Sequence, residues 1–301
     1  MDCYIYFVRS FPEKEDVSEL KSLLTSKGYN IKGIIFKKDF IREKEGISIV
    51  IDPACSETCL IDSYTIIFPY NPLYRDYDKL KSLETPYILR LFDVDKNRLL
   101  SAIKGKECSV EFRLSGIDIY TYKEEEFLKI REELREYVYA ESYKSMEEVV
   151  VGTLKKNKKT VALAESCTGG MISSRIVNVP GSSEVFLGGF LVYSNDFKER
   201  FLGVNKHTLE RYGAVSEEVC REMLKGTIER AGSDLAIAVT GIAGPGGTER
   251  KPQGLTYIGV GDIKSIYIDK RIFNSTRNIN RFLASQVALN NLRKFIEGVP
   301  K

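Results

Sequence analysis

The chain has 301 residues, 43% of them hydrophobic and 29% charged, with 45 basic against 42 acidic side chains for a net charge of +3. That composition fits a globular chain long enough for more than one core, and it excludes disorder, collagen-like repeats and, lacking any apolar run near the ~18–20 residues of a bilayer span, a transmembrane protein. The slight charge excess gives no reason to expect direct nucleic-acid binding, and the opening MDCYIYFVRSFPEKED lacks the layout of a secretory signal, so a cytoplasmic protein without membrane attachment is expected.

In chain order, Cys3–Val8 reads as a strand, followed by a helix with Leu20, Leu23 and Leu24 on one face that ends at Gly28. Further strands are predicted at Ile31–Phe36, Ile47–Ile51 and Tyr64–Phe68, with a charged loop, Lys37–Gly46, between the first two. This order suggests a small α/β unit over residues 1–74. The Pro-, Tyr- and Asn-rich stretch Pro69–Arg75 marks its boundary. A second small α/β module is read over residues 75–140. It comprises strand Tyr87–Phe92, a short helix over Lys96–Ile103, and strands Cys108–Leu114 and Ile117–Tyr122 joined by a turn at Ser115-Gly116. An amphipathic helix over Lys123–Val138, burying Phe127, Ile130, Leu134 and Val138, completes it.

The character changes from Ser145. Ser145 and Glu148 form a capping box that opens a helix to about Lys156. Strand Thr160–Ala164 runs into Glu165-Ser166-Cys167-Thr168-Gly169-Gly170 and then a helix over Met171–Val177. Pro180-Gly181 turns the chain into strand Glu184–Tyr193; one helix begins after Ser194-Asn195, and another opens at Ser216 and stops near Gly232. Strands Leu235–Val239, Leu255–Val260 and Ser265–Phe273 precede a last helix, Ile279–Ile296. Alternating strands and helices over residues 141–301 predict an α/β fold, a three-layer α/β/α sandwich with a largely parallel or mixed sheet.

The chain has one histidine, His207, placed in a polar turn entering a helix, where it reads as a surface residue. A Ser-His-Asp triad or a multi-histidine metal centre would have to run through it, so hydrolytic chemistry must find its base elsewhere. Cys55 and Cys59 are the only close cysteine pair, and without a second pair or a nearby histidine they give no metal motif. No metal or cofactor is therefore expected. Two glycine-rich segments follow buried-looking strands, Ser166–Gly170 and Thr240–Gly247; each is compatible with an anion-binding loop and with a tight structural turn. The third segment of interest is Tyr193-Ser194-Asn195-Asp196-Phe197-Lys198, in which Ser194 or Asn195 caps a helix. Lys198 then falls in the first turn, where the helix dipole disfavours an ammonium and lowers its pKa. A lysine near neutrality can act as a general base for a serine hydroxyl, and Ser166, Tyr193 and Lys198 supply the residue types.

Residues from about 145 to 298 resemble the CinA C-terminal domain, the nicotinamide-nucleotide amidase family. The matching text is Leu-Ala-Glu-Ser-Cys-Thr-Gly-Gly (163–170), Val-Pro-Gly-Ser-Ser (179–183), Phe-Leu-Gly-Gly (186–189) and Tyr-Ser-Asn-Asp-Phe-Lys (193–198). Gly-Ala-Val-Ser-Glu-Glu (213–218), Ala-Val-Thr-Gly-Ile-Ala-Gly-Pro-Gly-Gly (238–247) and Lys-Pro-Gln-Gly (251–254) continue it. Near the C-terminus the family's Gly-Asp/Asn-Arg is replaced by Ser275-Thr276-Arg277, while Arg277 and Arg281 remain. The resemblance implies hydrolysis of the carboxamide of nicotinamide mononucleotide to nicotinate mononucleotide and ammonia. It implies Ser166 as nucleophile, with Cys167 the competing one, and Lys198 helped by Tyr193 as base. It also implies a nucleotide site built from Glu165, Thr168, Gly169, Gly170, Ser194, Asn195, Thr240, Gly241, Gly244 and Gly246. Backbone N–H groups around Thr168–Gly170 would hold the oxyanion or the phosphate, and Arg277 or Arg281 would pair with the phosphate.

A homodimer is expected on the same ground. Two other readings stand beside the enzyme: a nucleotide-binding module without turnover, and an interaction protein associated with competence or DNA repair. The resemblance implies that full-length CinA proteins have a larger N-terminal domain, similar to molybdopterin-binding folds, and then a small KH-like module. Residues 75–140 would be that module, and residues 1–74 a remnant of the larger domain from which no ADP-ribose hydrolysis is expected.

Overall fold

The computed structural model describes residues 2–8, 24–25, 30–37, 47–52, 59–62, 65–69, 87–142 and 144–298. The chain forms two compact units, the first made of Met1–Arg90, Val94–Glu111 and Asp118–Tyr143, the second of Leu91–Asp93, Phe112–Ile117 and Lys144–Lys301.

In the first unit, β1 (Asp2–Val8), β2 (Asn30–Lys37), β3 (Ile47–Asp52), β4 (Cys59–Asp62) and β5 (Thr65–Pro69) form one sheet in the order β2-β1-β3-β5-β4. The β1/β2, β1/β3 and β3/β5 ladders are parallel, and β4 alone runs antiparallel, against β5. Ile5 and Tyr6, and likewise Ile49 and Val50, are buried as consecutive pairs. Successive strand residues face opposite ways, so both faces of this sheet are covered, as parallel strands require. Leu24, in a turn of helix, is buried. Leu20, Leu23, Gly28, most of the charged loop and Asn71–Arg75 lie outside the described residues.

The first unit also carries most of a four-stranded sheet, β7-β8-β6-β9, from β6 (Tyr87–Leu91), β7 (Ser109–Arg113), β8 (Gly116–Thr121) and β9 (Val138–Ala140). Helix α1 (Lys96–Ile103) is capped by Asp95, whose carboxylate accepts from the N–H groups of Asn97 at 2.8 Å and Arg98 at 3.2 Å. Helix α2 (Glu124–Glu133) is shorter than its apolar period suggests: Phe127, Ile130 and Leu134 are buried, but Val138 belongs to β9. The run Tyr137-Val138-Tyr139-Ala140 is β-branched and aromatic, and pairing beside β6 buries Tyr139 and Ala140, which outweighs continuing the helix.

The second unit contains α3 (Met146–Lys156), β10 (Val161–Glu165), α4 (Met171–Val177), a short 3₁₀ turn (Ser182–Glu184), β11 (Phe186–Leu191), α5 (Asn195–Leu202), α6 (Lys206–Tyr212), α7 (Glu217–Ala231), β12 (Leu235–Gly241), β13 (Leu255–Gly261), β14 (Ile266–Ile272) and α8 (Arg277–Glu297). Its sheet is mixed, in the order β11-β10-β12-β13-β14, with β11 and β12 parallel to β10, β13 antiparallel to β12 and β14 antiparallel to β13. Every residue of β10 is buried, so it is the central strand by chemistry as well as by order. Helices α3, α4 and α8 pack together, α5, α6 and α7 pack together, and each group rests on the sheet, giving the three-layer sandwich. The strand predicted from Glu184 starts at Phe186, because Ser182–Glu184 first closes the 3₁₀ turn. The α5–α7 crossing is unusually close: a Cβ on Gly226 would lie 1.9 Å from the Leu202 carbonyl oxygen. Among the described residues no helix is long and apolar enough to cross a membrane.

Candidate active site

Strand β10 delivers Glu165 and then Ser166 at its carboxyl end, where an open α/β sheet exposes its loops. The Ser166 N–H donates to Val239 O at 3.0 Å, so the serine is still laced to β12. Helix α5 brings the lysine. Its N-cap Ser194 accepts from the Phe197 N–H at 3.1 Å, and Lys198, one residue further on, turns inward until only 1% exposed. Its Nζ donates to Ser166 Oγ at 3.1 Å, Val192 O at 2.8 Å and Tyr193 O at 3.2 Å.

All three of those partners are neutral. Burial pushes the Lys198 pKa down to about 8, because the charged form loses its water and no carboxylate replaces it. The physical cause is therefore burial, where the sequence pointed to the dipole of α5. A buried amine able to lose its proton, touching a serine hydroxyl, is a nucleophile–base pair that needs no histidine. His207 is exposed, in the first turn of α6. Cys167 is buried and its thiol is pushed up to about 12 by desolvation, so it is held as a thiol rather than a thiolate.

Tyr193 meets Lys198 through its backbone carbonyl, not its phenol. The side chain is 63% exposed and its hydroxyl accepts from Arg277 Nη2 at 3.3 Å. Arg277 also donates through Nη1 to Gly244 O. Ser194 and Asn195 are exposed, the first spent as the cap and the second in the opening turn of α5.

The first N–H groups of α4, after the Ser166 loop, are taken up from within the protein. Gly170 occupies the N-cap with φ 86° and has no side chain to cap with. Glu165, 2% exposed, does so instead: its carboxylate accepts from the Ile172 N–H at 3.1 Å, the Ser173 N–H at 2.8 Å and Ser173 Oγ at 2.7 Å. Glu165 is thus an internal cap, where a ligand contact was expected. The Gly169 N–H donates to Ser166 O and the Met171 N–H to Thr168 O, at 3.1 and 3.3 Å. Arg281 closes the loop from α8, donating from Nε to Cys167 O at 3.1 Å and from Nη2 to Thr168 O at 2.8 Å.

The second glycine-rich loop lies beside the first, since a Cβ on Gly241 would come 3.1 Å from Cys167 Sγ. Thr240 is buried and its hydroxyl donates to Ala214 O at 2.7 Å, so its proton is spent inside the protein. Two residues missed by sequence reasoning as site-builders staple this loop. Gln253 accepts from the Gly246 N–H at 2.7 Å and donates to Ser275 O at 3.1 Å. Asn280 donates to Ala243 O and Ser275 O, each at 3.0 Å. Asn280 carried a usable signal, a polar residue on the inward stripe of the last helix.

Residues 143–296 match the family described as the CinA C-terminal domain. A CinA-like protein from Thermotoga maritima is 47% identical over 178 residues, 59% of this chain and 43% of that protein. Another from Sulfurihydrogenibium sp. is 45% identical over 212 residues, 68% of this chain and 52% of its own. The chain therefore spans about half the length of the curated relatives it matches. A solved structure of a competence-damaged protein (CinA) superfamily protein from Klebsiella pneumoniae covers 51% of this chain and 96% of its own, with 27% identity and a TM-score of 0.50.

Proposed function

The chain belongs to the CinA family through residues 143–296, and from that premise we propose that it is an amidase hydrolysing the carboxamide of nicotinamide mononucleotide to nicotinate mononucleotide and ammonia. The observation that carries this reading is the buried Lys198 Nζ, 3.1 Å from Ser166 Oγ. In its neutral form Lys198 takes the serine proton as Oγ attacks the carboxamide carbon. The resulting ammonium returns that proton to the departing nitrogen, the C–N bond breaks, and an ester to Ser166 remains. A water molecule, deprotonated by the same lysine, then attacks the ester, freeing the carboxylate and restoring the serine hydroxyl. Arg277, exposed at the mouth and tied to Tyr193 and Gly244, is the residue we assign to the substrate phosphate.

The test is ammonia release by the purified chain supplied with nicotinamide mononucleotide. Ser166→Ala and Lys198→Ala should each abolish it, and the double variant should be little worse than either, since the pair acts as a unit. Cys167→Ala should keep a substantial fraction, because its thiol is held protonated. An inactive Cys167→Ala beside an active Ser166→Ala would move the nucleophile to the cysteine.

A further inference from the structure

We infer that Arg281 is a positioning residue that sets the main-chain oxyanion donor of the Ser166 reaction; the inference rests on the amidase reading above. Its guanidinium spans two consecutive peptide groups, with Nε on Cys167 O at 3.1 Å and Nη2 on Thr168 O at 2.8 Å. A trans peptide is planar, with its N–H opposite its C=O. Holding the Cys167 carbonyl therefore turns the Thr168 N–H to the far side of the loop. Holding the Thr168 carbonyl does the same to the Gly169 N–H, which donates to Ser166 O at 3.1 Å, so the clamp reaches the backbone of the nucleophile itself.

Several of the neighbouring N–H groups are already committed. That of Ser166 goes to Val239 O, that of Met171 to Thr168 O, and those of Ile172 and Ser173 to the Glu165 carboxylate. The Thr168 N–H takes part in none of these bonds and lies two residues past Ser166. It is the donor that the clamp sets for the charge that develops on a carbonyl oxygen under attack from Ser166 Oγ. The fit is close: a Cβ on Gly169, whose φ is +61°, would come 3.1 Å from Arg281 Nη2. The same bonds spend the Nε/Nη2 edge of Arg281, one of the forks that would grip a phosphate, on the two carbonyls.

The test measures kcat and KM on nicotinamide mononucleotide for the full chain, Arg281→Lys and Arg281→Ala, with a thermal melt of each. Loss of one oxyanion donor costs about 100- to 1,000-fold in kcat, and a misplaced donor should cost at least about tenfold. We expect Arg281→Ala to lose about 10- to 100-fold in kcat with KM within about threefold of the wild type. Lysine, a point charge that cannot span two carbonyls, should restore only a minor part. The rise of activity with pH should keep its midpoint near 8, since Lys198 is untouched. If Arg281→Ala melts below the assay temperature, the same split read on Arg281→Lys decides. A KM raised about tenfold at constant kcat, or full recovery with lysine, would overturn the inference in favour of a phosphate contact. An active wild type whose kcat ignores both substitutions overturns it alone; a wild type that releases no ammonia overturns the amidase reading and this inference with it.

Discussion

Lys198 combines three hydrogen-bond acceptors with the absence of any carboxylate among them, which is why its pKa falls to about 8 and its amine still stays in place. The neutral amine is the reactive form. Below that pKa the ammonium predominates and cannot take the Ser166 proton, so kcat/KM should rise with pH and reach half its plateau near 8. A profile flat from about pH 6.5 to 9 would remove Lys198 as the base. At this scale the sequence was partly legible. The motif text and the scarcity of histidine led to Ser166 and Lys198. What a sequence does not show is which atom of a residue faces the site, so Tyr193 entered as a phenol and meets the lysine as a carbonyl. Glu165 and Thr240, similarly, spend their polar atoms inside the protein.

Between elements, the geometry of the pair depends on how α5 lies on α7. Alanine in place of a mid-helix glycine ordinarily stabilises by about 0.5–1 kcal/mol. At Gly226 the added methyl would stand 1.9 Å from the Leu202 oxygen and 2.8 Å from its carbonyl carbon, both backbone atoms that yield only if α5 moves. Gly226→Ala should therefore destabilise, by about 1–3 kcal/mol, and lower the melting temperature by several degrees. Activity should drop with it, because α5 carries Lys198 one turn before Leu202. An unchanged or raised melting temperature would show that the two helices have room to spare. Elements with strong local punctuation were legible: α1 matches its predicted span, and the Ser145–Glu148 capping box is present in both directions. Those that failed are short and depend on a neighbour, such as the four-residue β4 against β5 and the three-residue β9 beside β6.

For the whole molecule, every residue placed in the candidate site lies between Glu165 and Arg281, within the second unit. A fragment starting near Glu141 should therefore retain ammonia release with a similar KM. It should also melt lower than the full chain, since that unit includes Leu91–Asp93 and Phe112–Ile117, which the fragment lacks. A folded fragment without activity would place part of the machinery in residues 1–140. The glutamate cap of α4 has a consequence for turnover as well. Because Glu165 directs its negative charge into the helix end, Lys198 and Arg277 have no acidic counterweight among their hydrogen-bond partners. In the proposed reaction the neutral amide becomes a carboxylate, so the departing product is one charge more attractive to that pocket than the substrate was. On that reaction, product inhibition is expected, strongest at low pH and low salt, and relieved as Lys198 loses its proton.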